Sequence, residues 1–319
     1  MHSIEFYSDY IESAIGALVY PKEPAGLYAP VKYTLEGGGK RIRPTLLLAA
    51  ADAFGQEPAA VVDQAVGIEM FHNFTLLHDD VMDNADVRRG RPTVHRRWNN
   101  ETAILSGDAM LTMASMLMGK CAPALQECVL GLFNRTAMEI YEGQQYDMDF
   151  ENRSDVTVEE YMEMIRLKTS VLLACACAIG AVMGGAPEES VKAMYAYGEK
   201  LGLAFQLRDD YLDTYGDPAI FGKEIGGDIL NEKKTWLWIT AMRESGADMR
   251  AVLDRKLTDY LKIREITAIY DRLSLPERTC ALIESHVEEA VQALASAGLR
   301  PEALQFFTDL ARGCVSRMH

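Results

Sequence analysis

Cysteine is scarce in this chain, with six in 319 residues. None of the six shows the spacing of a metal-binding pair, and Cys175-Ala176-Cys177 falls in an apolar helical stretch where both are expected to pack as small hydrophobic side chains. The six are Cys121, Cys128, Cys175, Cys177, Cys280 and Cys314. This usage is typical of a reducing cytosol.

Positive charge is scarce as well, because 32 Lys and Arg against 47 Asp and Glu give a net charge of −15. No basic face dominates, which argues against a general nucleic-acid binder. Phosphate binding stays compatible with this composition, since a few cations can be concentrated at one place.

Segments that would place the chain in a membrane are missing. The N-terminus has no basic region followed by an apolar core, so we expect no signal peptide. The most apolar window, Val171 to Met183, is too short to cross a bilayer. We therefore expect a cytoplasmic protein with no stable membrane insertion.

Alternating strand patterns and Ser/Gly-rich linkers are lacking, whereas helical periodicity runs along most of the chain. Helices are predicted over Ile4 to Val19, Ile42 to Phe54, Ala59 to Asp83, Glu101 to Lys120, Leu125 to Phe150, Val158 to Met183, Glu188 to Thr214, Thr235 to Glu244, Met249 to Tyr270, Pro276 to Ala297 and Pro301 to Arg312. The pattern predicts one all-α domain over residues 1–319, with the most apolar helices inside a bundle.

Two stretches read Asp-Asp-x-x-Asp, Asp79 to Asp83 and Asp209 to Asp213. Each ends an apolar run, and on a helix its first and last Asp project from one face. Such carboxylates repel one another unless a hard cation lies over them, and Mg2+ binds carboxylates together with waters and substrate phosphates. One motif alone is equally compatible with a solvated acidic helix end. Two motifs, each with basic neighbours, predict a cleft that holds a polyphosphate through metal ions.

Glycines and basic residues occur together in three stretches that break the helical pattern. They are residues 36–44, 84–92 and 217–228. In the first, three glycines allow an anion to approach the backbone, and Lys40, Arg41 and Arg43 stand beside a helix start. The alternative is a flexible loop with solvated cations.

Three arginines, Arg88, Arg89 and Arg91, follow the first Asp motif, where they can clasp phosphate oxygens. Charge balance for the aspartates would explain one arginine more easily than three. His72 lies two helical turns before Asp79, on nearly the same face. A lone helix histidine is more often a core residue, but this alignment favours a functional one.

The second half of the chain has a matching set. Lys168 and Thr169 interrupt an apolar helix, and Lys223 and Lys233 follow the second Asp motif. Each lysine alone is compatible with solvated surface. Together they supply the positive charge that a polyphosphate held by carboxylates and Mg2+ still needs.

In combination these motifs closely resemble the trans-isoprenyl diphosphate synthases, or polyprenyl synthetases, from about Gly37 to Thr235. The matching stretches are Gly38 to Pro44, His78 to Asp83, Arg88 to Gly90, Leu105 to Asp108, Gly143 to Asp147, Lys168-Thr169, Phe205 to Asp213, and Gly222-Lys223 with Asp228 and Lys233. The resemblance implies a helical bundle around a deep central cavity, and a homodimer.

The resemblance also implies a role for each motif residue in Mg2+-dependent catalysis with three ions. Asp79, Asp83 and Asp209 would bind Mg2+, supported by Asp80, Asp210 and Asp213. Arg88, Lys168, Lys223 and Lys233 would bind the allylic diphosphate. Lys40, Arg43, His72 and Arg89 would bind isopentenyl diphosphate. Thr169 and Gln206 would face the developing carbocation, with Gln144 and Asp147 in a surrounding shell.

The implied reaction begins with ionisation of the allylic diphosphate, followed by attack of the isopentenyl double bond on the allylic cation. The released diphosphate would accept the final proton, in a site that excludes water. Two positions depart from the family pattern. Ser170 replaces a common Gly or Ala, and Glu232 places negative charge beside Lys233.

Product length should be set along the helix before Asp79, since one isoprene unit is about one helical turn, ~5 Å. Phe74, Thr75 and Phe71 are the candidate residues for the floor of the product site, where they would stop the growing chain. By resemblance an aromatic side chain at Phe74 blocks long products, so we expect a farnesyl (C15) or geranylgeranyl (C20) diphosphate. Thr75 leaves that choice open, and the alternative is that both phenylalanines are ordinary core residues.

Three rival interpretations fit the motifs less well. A class I terpene cyclase would usually carry one Asp-rich motif and a second metal motif containing Asn, Ser or Thr, and Glu. A non-catalytic partner of an active subunit typically loses Asp or Lys from the motifs, whereas all six Asp are present here. A purely structural helical protein would not need glycine-flanked cations.

Overall fold

The structure is a computed structural model that describes residues 1–217 and 225–316. Its α-helices are Ile4–Gly16 (α1), Ala25–Leu35 (α2), Ile42–Ala53 (α3), Val62–Met82 (α4), Val94–Arg97 (α5), Asn100–Met118 (α6), Pro123–Glu151 (α7), Val158–Ile165 (α8), Val171–Met183 (α9), Glu188–Tyr215 (α10), Gly227–Leu230 (α11), Trp236–Leu253 (α12), Asp259–Arg272 (α13), Leu275–Ala293 (α14) and Pro301–Ser316 (α15). Short 3-10 turns lie at Pro58–Ala60 and Leu294–Ser296, and a π-helical turn at Arg166–Ser170 joins α8 to α9. The all-α prediction is confirmed.

The helix prediction was wrong at two places. Helix α2 was missed, and Pro30 lies in its interior, where proline normally disfavours helix. The single helix predicted over Met249 to Tyr270 is two helices. A new N-cap at Thr258, whose hydroxyl accepts a hydrogen bond from the amide of Leu261, begins α13 after a break.

The expectation that strands are absent was wrong at one hairpin. Val87–Arg88 (β1) pairs antiparallel with Arg91–Pro92 (β2). The two residues between the strands, Arg89 and Gly90, have φ values of 51° and 73°. Positive φ at both central residues is the signature of a two-residue hairpin turn. Strands of two residues are too short to leave an alternating pattern in the sequence.

The chain divides into two compact units, of which the first contains Met1–Arg135 and Cys175–Tyr195. Its centre is α4, which packs against α2, α3 and α6. Helix α3 is fully buried from Leu46 to Ala51. Gly67 lets α4 approach α6, because a Cβ there would lie 3.2 Å from the carbonyl oxygen of Ala114. This packing fixes α4, whose last turn carries the first Asp motif.

The second unit contains Thr136–Ala174 and Ala196–His319. A cluster of buried side chains that includes Trp238, Met249, Ile266 and Tyr270 joins α12 to α13. The second Asp motif lies near the end of α10, as expected. The prediction of one domain over the whole chain, around a central cavity, stays a prediction.

One helical stretch among the described residues, Val158–Met183, is long and apolar enough to cross a membrane by length and composition. It is longer than the window singled out in the sequence because α8 and the π-turn continue it. In its most apolar 18-residue window, 83% is buried inside the protein. The core helix of a water-soluble protein has the same character.

Candidate active site

The first Asp motif occupies the end of α4 and points its members in different directions. Asp80 is buried, with 5% exposed, and accepts a hydrogen bond from Arg88 Nε at 2.6 Å. Burial raises the pKa of Asp80 against the opposing effect of Arg88. Asp79 is half-buried and Asp83 exposed. Asp80 therefore positions Arg88, whereas Asp79 and Asp83 lie on the accessible side of the motif.

The residues predicted to bind isopentenyl diphosphate come together in the first unit. Arg43 Nη1 lies 3.2 Å from His72 Nε2, and Arg89 donates to Asn73 Oδ1 at 3.4 Å and to the carbonyl oxygen of Gly38. Lys40 is exposed on the same glycine loop. The structure thus assembles two guanidinium groups and an imidazole beside this loop, an arrangement suited to an anion.

His72 is held in its neutral form. Burial, followed by the charges of Arg43 and Arg89, lowers its pKa well below the ordinary value. Arginine is only a donor, so His72 Nε2 accepts the hydrogen bond from Arg43. The proton of the neutral ring therefore lies on Nδ1.

The glycine run has a second use that the sequence did not indicate. Gly39 has φ 143°, and a Cβ there would lie 3.0 Å from Arg89 Nη2. The absence of a side chain at Gly39 therefore makes room for the guanidinium of Arg89. The run brings a cation to the site in addition to exposing backbone.

Arg41, expected beside the anion, is instead completely buried. It adopts φ 47° as N-cap of α3 and donates to Glu12 at 2.7 Å, to Glu69 at 2.6 Å and to the carbonyl oxygen of Leu35 at 2.7 Å. Ion pairs inside the protein neutralise its charge, so Arg41 orders the loop between Lys40 and Arg43.

Sequence reasoning missed Glu69, which extends this network towards Arg89. Glu69 is 2% exposed, and its carboxylate accepts from Asn73 Nδ2 at 2.9 Å as well as from Arg41. Asn73 in turn accepts from Arg89. A single Glu within an apolar helix gave no signal, except that it lies one turn before Asn73 and so on the same face.

In the second unit, Thr169 and Gln206, which were predicted to face the carbocation, form a hydrogen-bond chain with Asp210, which was predicted to support Mg2+. Thr169 Oγ1 donates to Gln206 Oε1 at 3.0 Å, and Gln206 Nε2 donates to Asp210 Oδ1 at 2.8 Å. Tyr161, which the sequence does not distinguish from the other positions of its helix, donates to Asp210 Oδ2 at 2.5 Å. Burial raises the pKa of Asp210 to about 6.

Lys168 lies on the π-turn and pairs with Asp147 at 2.6 Å. Burial would raise the pKa of Asp147, but Lys168 and then Lys233 lower it more. A Cβ at Gly143 would lie only 2.4 Å from the backbone nitrogen of Lys168. Gly143 therefore lets α7 reach the turn, and π-turns of this kind often mark functional sites.

The second Asp motif contacts the segment around α11. The amide of Asp228 donates to Asp213 Oδ2 at 2.9 Å, and Lys233 Nζ lies 3.9 Å from Asp228 Oδ1. Partial burial opposes the charge on Lys233, yet Asp228 and the nearby carboxylates hold its pKa above the ordinary value. Glu232, the departure from the family pattern, pairs with Lys262 at 3.0 Å, so its charge is balanced.

The carboxylates of the second unit fit a divalent cation in chemistry. Burial raises the pKa of Asp228 to about 7, and repulsion from Asp210, Asp213 and Asp209 adds to this rise while Lys233 opposes it. Crowded hard oxygens of this kind are the donors that Mg2+ prefers. Within residues 1–217 and 225–316 no three acidic, His or Cys side chains converge as a ready cation site. Lys223 lies outside the described residues.

The predicted floor of the product site lies in an aromatic cluster on α4. Phe74 is 5% exposed, with its ring 5.5 Å from that of Phe71 and 4.8 Å from that of His78. Phe71 packs edge-on against Phe133 of α7 at 5.1 Å. Thr75 bonds within its own helix, to the carbonyl oxygen of His72 at 2.8 Å. An aromatic wall therefore lies one to two turns before Asp79.

Comparison with known proteins places this chain among enzymes of one kind. The polyprenyl synthetase family profile matches residues 24–273. The geranylgeranyl diphosphate synthase of Methanosarcina mazei is 41% identical over 239 residues, covering 74% of each chain. The short chain isoprenyl diphosphate synthase of Methanothermobacter thermautotrophicus is 35% identical over 316 residues, covering 97% of each. A crystal structure of a geranylgeranyl pyrophosphate synthase has a TM-score of 0.95 at 40% identity, covering 99% of both chains.

This chain belongs to the polyprenyl synthetase family. The resemblance drawn from the motifs is confirmed, and with it the class of enzyme, a prenyltransferase. The roles assigned to single residues stay predictions.

Proposed function

We propose that the chain condenses isopentenyl diphosphate head to tail with dimethylallyl, geranyl or farnesyl diphosphate. It is a prenyltransferase of isoprenoid biosynthesis that forms a short-chain all-trans prenyl diphosphate and releases diphosphate. The observation that carries this proposal is the presence of two Asp-Asp-x-x-Asp helix ends together with the separate cluster of Arg43, His72 and Arg89. Condensation needs a place for a second diphosphate, and that cluster supplies it.

The allylic diphosphate is assigned to the Asp motifs and their cations. Asp79, Asp83 and Asp209 would hold Mg2+, three ions per site, with Asp80, Asp210 and Asp213 in support. When bound, Mg2+ neutralises charge that develops on the leaving diphosphate. Arg88, Lys168, Lys223 and Lys233 add positive charge. Carboxylates hold two of these cations, because Arg88 pairs with Asp80 and Lys168 pairs with Asp147.

Isopentenyl diphosphate is assigned to Lys40, Arg43, His72 and Arg89. Because the His72 imidazole is neutral, it does not repel the adjacent guanidinium of Arg43. In the second unit the Thr169 hydroxyl donates a hydrogen bond to the amide oxygen of Gln206. The lone pairs of Thr169 Oγ1 can therefore face the allylic cation. Gln144 and Asp147 complete the surroundings of the allylic diphosphate.

The product is assigned as C15 or C20. Phe74, supported by Phe71, blocks extension along α4, and both are almost completely buried. Thr75 is the third residue assigned to limit the length of the product.

We also assign the chain to the cytoplasm, as a homodimer. Exposed apolar side chains on α6 support self-association: Ile104 is 47% exposed, Leu105 60% and Met116 66%. Leu105 and Met116 are about three helical turns apart and so lie on the same face of α6, and exposed large apolar side chains on one face can mark a protein interface. Sedimentation velocity should give a dimer for the wild type and a monomer for Leu105→Glu, and a monomeric wild type would refute the assignment.

The Asp motifs give a direct test of the proposed division of labour. Diphosphate release from isopentenyl and geranyl diphosphates should require Mg2+, stop with EDTA and resume when Mg2+ is restored. Asp79→Ala and Asp83→Ala should both abolish turnover. Asp213→Ala should lose less, because Asp213 is assigned only a supporting role and its Oδ2 already accepts the amide of Asp228. Equal loss in all three variants would contradict the assignment.

A further inference from the structure

The hairpin after the first Asp motif places two arginines directly opposite each other. Arg88 and Arg91 are cross-strand partners, with Arg89 and Gly90 forming the turn. Opposite residues of an antiparallel pair share a face, with Cβ atoms about 5 Å apart, and like charges there are destabilising. Both arginines line one pocket of the first unit. Such a pair calls for negative charge nearby.

Among the described residues, a carboxylate pairs with just one of the two opposed arginines. Arg88 is paired with Asp80 at 2.6 Å. In the part of the chain that the structure describes, no carboxylate lies within 4.0 Å of the Arg91 guanidinium nitrogens. The positive charge of Arg91 is therefore available to a ligand.

An aromatic ring, rather than a carboxylate, holds Arg91 in position. Its guanidinium carbon lies 3.8 Å from the ring centroid of Tyr33, and the Tyr33 hydroxyl donates to the carbonyl oxygen of Pro92 at 2.8 Å. A cation–π contact orients a guanidinium without neutralising it. Tyr33 thus fixes both the side chain of Arg91 and the strand that carries it.

The location of Arg91 points to the diphosphate on the glycine-loop side. A Cβ at Gly37 would lie 3.7 Å from Arg91 Nη1, just as one at Gly39 would lie 3.0 Å from Arg89 Nη2. Arg89 and Arg91 therefore both lie against the glycine run. The pocket they share is also lined by Leu76 and Leu77, so it suits an anion attached to a small apolar group.

We propose that Arg91 is a further binding residue for the diphosphate of isopentenyl diphosphate, acting with Arg89. This inference rests on the proposed assignment of that substrate to the glycine-loop side. The bound diphosphate supplies to Arg91 the negative charge that Asp80 supplies to Arg88. The planar guanidinium of Arg91, with its fork of N–H donors, contributes charge-assisted hydrogen bonds to phosphate oxygens.

Arg97 offers a matched control. Its guanidinium carbon lies 4.4 Å from the same Tyr33 ring, but Arg97 is exposed and does not line the pocket. Arg91→Gln and Arg97→Gln remove the same charge. With Mg2+ and geranyl diphosphate, Arg91→Gln should raise KM for isopentenyl diphosphate about ten-fold or more, the loss expected for a charge-assisted hydrogen bond. KM for geranyl diphosphate should stay unchanged, as should both KM values in Arg97→Gln.

Arg91→Lys should give an intermediate KM, because it keeps the charge but loses the planar fork. Equal KM values for isopentenyl diphosphate in Arg91→Gln and Arg97→Gln would overturn the proposal. So would an increase in KM for geranyl diphosphate alone, which would move Arg91 to the other substrate. A parallel rise in both KM values with a lower Tm would mean that Arg91 is only structural.

Calorimetric titration with isopentenyl diphosphate separates this inference from the proposed function. If the wild type binds it but turns over no allylic primer, the proposed condensation fails, while the affinity of Arg91→Gln still tests the site. Weaker binding by Arg91→Gln than by Arg97→Gln would support the inference, and equal binding would refute it.

Discussion

At the scale of single residues, Glu69 carries the buried charge that holds Arg41. Both side chains are almost completely buried, so Glu69→Ala would remove the buried counter-charge of Arg41 and leave the half-exposed Glu12 as its partner. Loss of one partner of a buried pair costs about 3–5 kcal/mol. Urea denaturation should show that loss in the free energy of unfolding.

The matched control is Glu36→Ala. Glu36 pairs with Lys32 at 3.7 Å on the surface, with exposed fractions of 53% and 60%. An exposed pair contributes about 0–1 kcal/mol, so this variant should unfold almost like the wild type. Similar destabilisation by the two substitutions would contradict the role given to the Arg41–Glu69 pair.

His72 predicts a pH dependence with a defined sign. Its pKa in the folded protein lies well below 6.5, the value that applies when unfolded. The stability associated with neutral His72 is therefore complete above that value and lost as pH falls, because only the unfolded state then binds the proton. Between about pH 7.5 and about pH 5.5, the wild type should lose about 1 kcal/mol more than His72→Gln. Equal losses would mean that folding does not lower the pKa of His72.

At the scale of the helix, α7 contains two glycines with opposite expected effects. Gly143→Ala would place a Cβ 2.4 Å from the backbone of Lys168, whereas a Cβ at Gly131 meets nothing within 4 Å. Overpacking should destabilise Gly143→Ala by about 1–3 kcal/mol and lower kcat by displacing Lys168. Gly131→Ala should stabilise by up to about 1 kcal/mol, since alanine favours helix. Urea denaturation checks both, and loss of stability in both would refute the close approach.

Product length tests the proposal that side chains of α4 limit how far the prenyl chain can grow. Phe74→Ala opens the aromatic wall before Asp79, so product analysis should show longer prenyl chains. Phe307→Ala is the control, because Phe307 is equally buried but packs on Tyr197 in the second unit. Both variants lose about 3–5 kcal/mol of stability by large-to-small substitution in a core. Unchanged product length in Phe74→Ala, or longer products in both, would eliminate the floor assignment.

At the scale of the whole molecule, the sequence revealed the helices and the motif residues, but not which charges are buried. Lys40, Arg41 and Arg43 form one basic run in the sequence. Arg41 is separated from its neighbours by Glu12 and Glu69, which lie 29 and 28 positions away along the chain. No local pattern reports such distant partners.

The same limit applies to hydrogen-bond networks and to very short elements. Tyr161 looks like any apolar helix position until folding brings it to Asp210, 49 residues away. The arginine hairpin left no strand pattern because each strand has two residues. In contrast, the Asp motifs were recognisable because both carboxylate spacing and helix periodicity are local properties.

The most direct test of the proposed condensation is a product assay with Mg2+, isopentenyl diphosphate and each allylic primer in turn. We expect diphosphate release that depends on isopentenyl diphosphate, together with an all-trans C15 or C20 prenyl diphosphate. No diphosphate release with any primer would contradict the claim of a prenyltransferase. Diphosphate release from the allylic primer alone, with a hydrocarbon or alcohol as product, would instead identify the chemistry of a terpene cyclase.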